Sequence, residues 1–192
     1  MRPQIRKPTM RIMQLIYRNG NLDRAVLAGL RNATNLTSPQ AQVVWPVLMA
    51  NLDQAALSRT GEPTHAETAV FTALKFYAQH QQGNAQRVFG SVRDETGISL
   101  FTAAARLSHV PDNQTRIDNR MKQLLKVTNT SSAINALAHL VDIVKSGQQP
   151  IDYAQLAEDL YWFQDSFEQA NRVRLRWGQT YYWRAAVTEE EK

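Results

Sequence analysis

Three observations predict an all-α fold, a helical bundle of about eight to nine helices in two lobes. Apolar residues recur at helical spacing along most of the 192-residue chain. Start and stop signals bracket these periodic segments. No stretch alternates apolar and polar residues at the period of two that a half-buried strand needs.

Taken in order, LDRAVLAGLRNA at 22–33 places Leu22, Val26, Leu30 and Ala33 on one side, with Arg24 and Arg31 opposite. Ser38 before Pro39 reads as a cap and first-turn proline, and Pro46 is expected to kink or end that helix near Trp45. Thr64 and Glu67 form a capping box ahead of AVFTALKFYAQH, and Gly83 closes the segment. Residues 84–97 are the least regular part, with Gly90 and Gly97 punctuating a loop. A short helix covers 99–107. Pro111 then breaks the chain, and PDNQ opens RIDNRMKQLLK at 116–126. In SSAINALAHLVDIVKSG, Ile134, Leu137, Ala138, Val141 and Val144 share a stripe that stops at Gly147. PIDYAQLAEDLYWF begins with Asp152 and Gln155 in capping positions. A last helix, about 166–186, carries Phe167, Ala170, Val173, Trp177 and Tyr181 at helical spacing. The lobe boundary is expected near Val110–Asn113, giving an N-terminal lobe 1–110 and a C-terminal lobe 111–192 with a short acidic tail.

A chain of this length buries a self-sufficient core, and 43% hydrophobic residues argue against disorder. The absence of cysteine removes disulfides, thiolate metal sites and cysteine nucleophiles, and fits a cytoplasmic protein. No apolar run approaches the roughly 20 residues that span a bilayer. MRPQIRKPTM has no following apolar region and does not read as a secretory signal. Without one, the tripeptides NAT at 32–34, NLT at 35–37, NQT at 113–115 and NTS at 129–131 are chance matches to a glycosylation pattern.

Enzyme signatures are poor. His65, His80, His109 and His139 are scattered, no two of them at metal-ligand spacing on one helix. There is no phosphate-binding loop of the Walker type and no GxSxG elbow. Glu158 and Asp159 are adjacent, so a helix points them in different directions, and they read as a solvated face rather than an acid–base pair. The chain is therefore expected to be no enzyme, with no cofactor and no metal. Among the aromatics, Trp177 and Tyr181 read as core. Tyr182 and Trp183 stay open between core and a base-stacking platform, and with Phe101 they are candidates for a subunit contact.

Charge is the stronger signal. The net +5 conceals segregation: +6 over 1–31, +3 over 87–126 and +4 over 172–187, against −5 over 127–171 and −2 in TEEEK at 188–192. On 116–126, Ile117, Met121, Leu124 and Leu125 fill one apolar arc, while Arg116, Arg120, Lys122 and Lys126 fill most of the rest and only Asp118 opposes them. The i,i+4 pairs Arg116/Arg120 and Lys122/Lys126 repel, which costs the isolated helix a few tenths of a kcal/mol per pair. Arg172 and Arg176 repeat the arrangement, with Arg174 between them. Any one such face is commonly just solvated. Three of them, on 18–31, 106–126 and 172–184, point to phosphate contacts. No helix-turn-helix or RNA-recognition signature accompanies them, so sequence readout is not expected.

NLDRAVLAGLRNA, ISLFTAAARL, TRIDNRMKQLLK, PIDYAQLAEDLYWF and RVRLRWGQTYYW occur in that order. Together, over about residues 15–184, they resemble the CasB family, the small subunit of the type I-E CRISPR surveillance complex, Cascade. Segment 34–98 carries little of the resemblance and the acidic tail none. The resemblance implies an all-helical, two-lobed protein without catalytic activity. It implies two copies per complex, packed on each other, on the repeat-binding backbone subunits and beside the large subunit. It also implies a basic surface that holds the crRNA–target hybrid and the displaced DNA strand, stabilising the R-loop without reading sequence. By position, Arg24 and Arg31 match the basic residues of the first motif, and Arg106, Arg116 and Arg120 those around the central one. Lys122, Lys126, Arg172, Arg174 and Arg176 follow as secondary candidates, some of which face a protein partner instead. The alternative reading is a basic helical adaptor that binds acidic protein partners without nucleic acid.

Overall fold

The computed structural model describes residues 3–190, with side chains from 3 to 183. Arg184 of the last basic segment and the TEEEK tail therefore lie outside the described side chains. Among the described residues there are nine α-helices and no strand, as the all-α expectation requires. One parallel bridge, Ile98 to Ile151, is the sole β-type pairing among them. The chain divides into two compact units, residues 1–89 with 153–161 and residues 90–152 with 162–192.

The first unit contains α1 (Arg6–Tyr17), α2 (Arg24–Asn32), α3 (Trp45–Met49), α4 (His65–Gln81) and the start of α8 (Tyr153–Asp165). Asp23 caps α2, accepting from the Val26 N–H at 3.2 Å, so the helix begins two residues later than its apolar pattern. Pro46 does not end a helix; it sits in the first turn of α3, where its missing N–H loses no partner. Ser38 and Pro39 open only a 3-10 turn, 39–41. The Thr64/Glu67 capping box forms in full: Glu67 N–H to Thr64 Oγ1 is 3.1 Å, and Thr64 N–H to Glu67 Oε2 is 2.8 Å. Helix α4 is buried on most of its circumference and packs against α1 and α2. Its C-terminal end meets α8 through a buried 2.9 Å hydrogen bond between His80 Nδ1 and the Tyr153 hydroxyl.

The second unit holds α5 (Leu100–Ser108), α6 (Gln114–Lys126), α7 (Thr130–Val144), the end of α8 and α9 (Phe167–Glu190). Ser99 caps α5, Asn129 caps α7, and Ser166 accepts from the Gln169 N–H at the start of α9. Helix α7 runs on through a 3-10 turn at Lys145–Gly147, and the left-handed residue that stops it is Gln148 rather than Gly147. In the irregular 90–98 segment two backbone strands almost touch: a Cβ on Gly90 would lie 2.1 Å from the Thr96 carbonyl oxygen. Trp177 forms the centre of the unit, stacked on Phe101 at 5.1 Å and on Phe163 at 5.8 Å between ring centroids. Helix α5 packs on α6, α7 and α9. The Val110–Asn113 turn, where the lobe boundary was expected, lies within this unit, and the chain passes between the units at Phe89/Gly90, Asp152/Tyr153 and Tyr161/Trp162.

Candidate nucleic-acid interface

On α6, Ile117, Met121 and Leu124 are fully buried, and Arg116, Lys122 and Lys126 are exposed, with Arg120 half-buried. Arg116 and Arg120 donate to the neutral side-chain amides of Asn113 (3.4 Å) and Gln123 (3.3 Å). Among the described residues, none of Arg116, Arg120, Lys122 and Lys126 forms an ion pair with a carboxylate.

Asp118, the sole acid of α6, does not dilute this face. It borders the apolar arc beside Leu125, and it accepts a 2.6 Å hydrogen bond from the Tyr181 hydroxyl of α9. Tyr181 is itself fully buried. Burial, together with the Asp118 carboxylate, raises the Tyr181 phenol well above its ordinary value, so it stays a donor. The half-buried carboxylate is thus engaged by α9, and the fully exposed charges of α6, Arg116, Lys122 and Lys126, are all cationic.

The remaining candidates fall into two kinds. Arg106 is exposed at the end of α5 and donates to Gln149 Oε1 at 2.9 Å. Arg172 and Arg176 are exposed on α9, one turn apart. Arg24, at the start of α2 in the first unit, is also exposed. Arg31 and Arg174 differ, because both reach carbonyls left over at helix C-termini. Arg31 Nη1 donates to Ala78 O in the last turn of α4 at 3.4 Å. Arg174 Nη1 donates to Val127 O at 2.8 Å and Leu125 O at 3.5 Å, and its Nη2 donates to Asn171 Oδ1. Arg174 thus ties the end of α6 to α9. Its neighbours in RVRLRW resemble it in sequence, and only these long-range contacts separate it from them.

Exposed Lys7 and Arg11, one turn apart on α1, were not singled out from the sequence. The +6 charge of residues 1–31 was their signal, and Pro8 falls in the first turn of the helix that aligns them, where it is tolerated. Among the aromatics, Trp177 and Tyr181 are core as expected, whereas Phe101 is buried against Trp177 and is no contact residue. Phe167, counted with the core stripe of α9, is 65% exposed because it lies at the edge of that stripe. Tyr182 and Trp183 are exposed. Asp159 is buried rather than part of a solvated face, and Glu158 Oε2 lies 3.8 Å from Arg6 Nη1. No group of three His, Asp or Glu side chains able to hold a metal occurs among the described residues.

The chain is similar in fold to several solved structures. It matches CasB from Thermobifida fusca with a TM-score of 0.66 and 24% identity, covering 93% of this chain and 95% of that one. A chain of a CRISPR RNA-guided surveillance complex matches with a TM-score of 0.71 and 18% identity, over 98% and 99% of the two chains. CasB of M. ruber matches at 0.66 and 16% identity, over 96% and 97%. No curated protein matches the sequence. The family model for CRISPR-associated protein Cse2 matches residues 26–182, a stretch that takes in α2 through most of α9 with its ordered motifs, and the chain belongs to that family.

Proposed function

We propose that this protein is the non-catalytic small subunit of a type I-E CRISPR surveillance complex. It holds the guide–target hybrid and the displaced strand through phosphate contacts and stabilises the R-loop without reading sequence. Its partners are the repeat-binding backbone subunits, the large subunit and a second copy of itself, in the cytoplasm. Family membership supports the setting. The observation that carries the mechanism is the outward face of α6, whose only acid is bonded inward to Tyr181. A cationic face that bears its own repulsion when free gains most when phosphates neutralise it. Arg106, Arg116, Arg120 and Lys126 are the contacts we assign in the second unit, while Lys122, Arg172 and Arg176, secondary candidates from the sequence, face a protein partner. In the first, Arg24 is joined by Lys7 and Arg11, and Arg31 and Arg174 take supporting roles at helix ends.

Replacing a DNA duplex by an RNA–DNA hybrid is close to balanced in free energy, so a few backbone contacts are enough to tip it. Reconstitution of the surveillance complex with Arg116→Ala/Arg120→Ala, followed by chemical probing of strand opening on a supercoiled target, tests the proposal. The expected result is normal assembly with a reduced fraction of opened target. Full opening with the variant subunit incorporated would contradict it.

A further inference from the structure

Helix α9 has three faces. Ala170, Val173, Trp177 and Tyr181 point to the core. Arg172, Arg176 and Trp183 share a second, outward face, within about 40° of one another on the helical wheel. Between these lies a third stripe, Phe167, Asn171, Leu175, Gly178 and Tyr182, spaced four, four, three and four residues apart. It spans about 80° of the wheel. Neither the fold nor the nucleic-acid reading uses it, yet Phe167, Leu175 and Tyr182 are 65%, 63% and 44% exposed.

All of the stripe except Phe167 walls a groove of about 620 Å³, lined also by Leu125, Arg174 and Gln179. At Gly178 the two helices approach closely: a Cβ there would sit 3.4 Å from Leu125 Cδ1, in ordinary van der Waals contact. Three-and-four spacing is what a second helix needs to seat apolar side chains along its neighbour. The flanks of the groove are mostly cationic, although the half-buried Asp118 carboxylate lies near Tyr182. Arg174 borders one side, Arg172 and Arg176 follow on the other, and Lys122 lies about 60° round α6 from Leu125. From residue 172 to 187 the chain has no acid at all.

We propose that this groove is a docking site for an amphipathic α-helix of another protein, one whose apolar stripe is flanked by Asp and Glu. Aliphatic Leu125 and Leu175 fit interdigitating side chains better than they fit stacked bases, which favours a helix over a nucleic-acid strand. The carboxylates beside the partner's stripe meet Arg172, Arg176 and Lys122, and repulsion by the same groups rejects a basic helix.

The test uses the full chain, isotope-labelled, and two synthetic helical peptides. Both carry leucines at three-and-four spacing; one has flanking glutamates and the other flanking lysines. The glutamate peptide is expected to shift the resonances of Leu125, Leu175, Gly178 and Tyr182, and the lysine peptide to bind at least tenfold more weakly. Leu175→Ser removes an exposed anchor without changing charge, and is expected to weaken the glutamate peptide about tenfold while leaving the fold intact. Equal binding of both peptides, or no shift by the glutamate peptide, overturns the proposal. So does movement of the same resonances by single-stranded oligo-dT, or by raising the protein concentration, when the glutamate peptide leaves them still.

Discussion

At the scale of single residues, two arginines and one tyrosine show how the basic surface is built. Arg174 satisfies carbonyls at the end of α6. Arg174→Ala leaves them partly buried without a donor, and a loss of about 1–3 kcal/mol is expected in urea unfolding. Faster hydrogen exchange near residues 125–127 should accompany it. Arg172→Ala, on the exposed face of the same helix, is expected to change stability by no more than about 0.5 kcal/mol. Equal losses from the two variants would mean that the Arg174 contacts contribute nothing. Tyr181 carries a pH dependence of definite sign. Its folded-state ionisation is raised by burial first and then by the Asp118 hydrogen bond, and burial raises Tyr77 and Tyr153 as well. A group whose folded value is raised contributes stability that is complete below its unfolded value, about 10 for tyrosine, and is lost as pH climbs beyond it. Thermal unfolding should therefore be insensitive to these phenols at neutral pH and fall steeply above about pH 10. Tyr181→Phe should flatten part of that fall while costing stability at pH 7, because Asp118 loses its donor.

At the scale of elements, caps mark where helices start; Thr64 was read from the sequence, whereas Asp23, Ser99, Asn129 and Ser166 were not. Thr64 with Glu67 marked α4 because the reciprocal bonds need only those residues at that spacing. Thr64→Ala should cost about 1 kcal/mol by chemical denaturation, and a loss indistinguishable from zero would show that tertiary packing alone holds the start of α4. Other elements were not legible for specific reasons. Proline is a poor guide without knowing where the helix begins: Pro46 occupies the first turn of α3 but was read as a kink or end. The stop of α7 passed to Gln148, since a residue one position beyond the glycine took the left-handed conformation. The basic face of α6 was plain from its own thirteen residues. The inward turn of Asp118 and the stapling role of Arg174 were not, because their partners lie 63 and 47 residues away in sequence.

At the scale of the molecule, charge and burial tell one story. The basic residues cluster in 1–31, 87–126 and 172–187, whereas segment 127–171 is net negative because it holds six acids and a single lysine. Such a distribution makes affinity for a polyanion steep in salt and indifferent to sequence. The unit boundary at Phe89/Gly90 escaped a linear reading because α8 begins in one unit and ends in the other. The two glycines of the irregular 84–97 stretch were the signal at that crossing, and they were read as a loop. Contact between α6 and phosphate is tested by a salt titration of binding to single-stranded DNA. Wild type is compared with Arg116→Ala/Arg120→Ala. A steep loss of affinity with salt is expected, with a slope shallower by about 1.4 in the variant, the release of two counterions fewer at roughly 0.7 each. An unchanged slope, or no binding at low salt, would contradict it and turn that face toward protein.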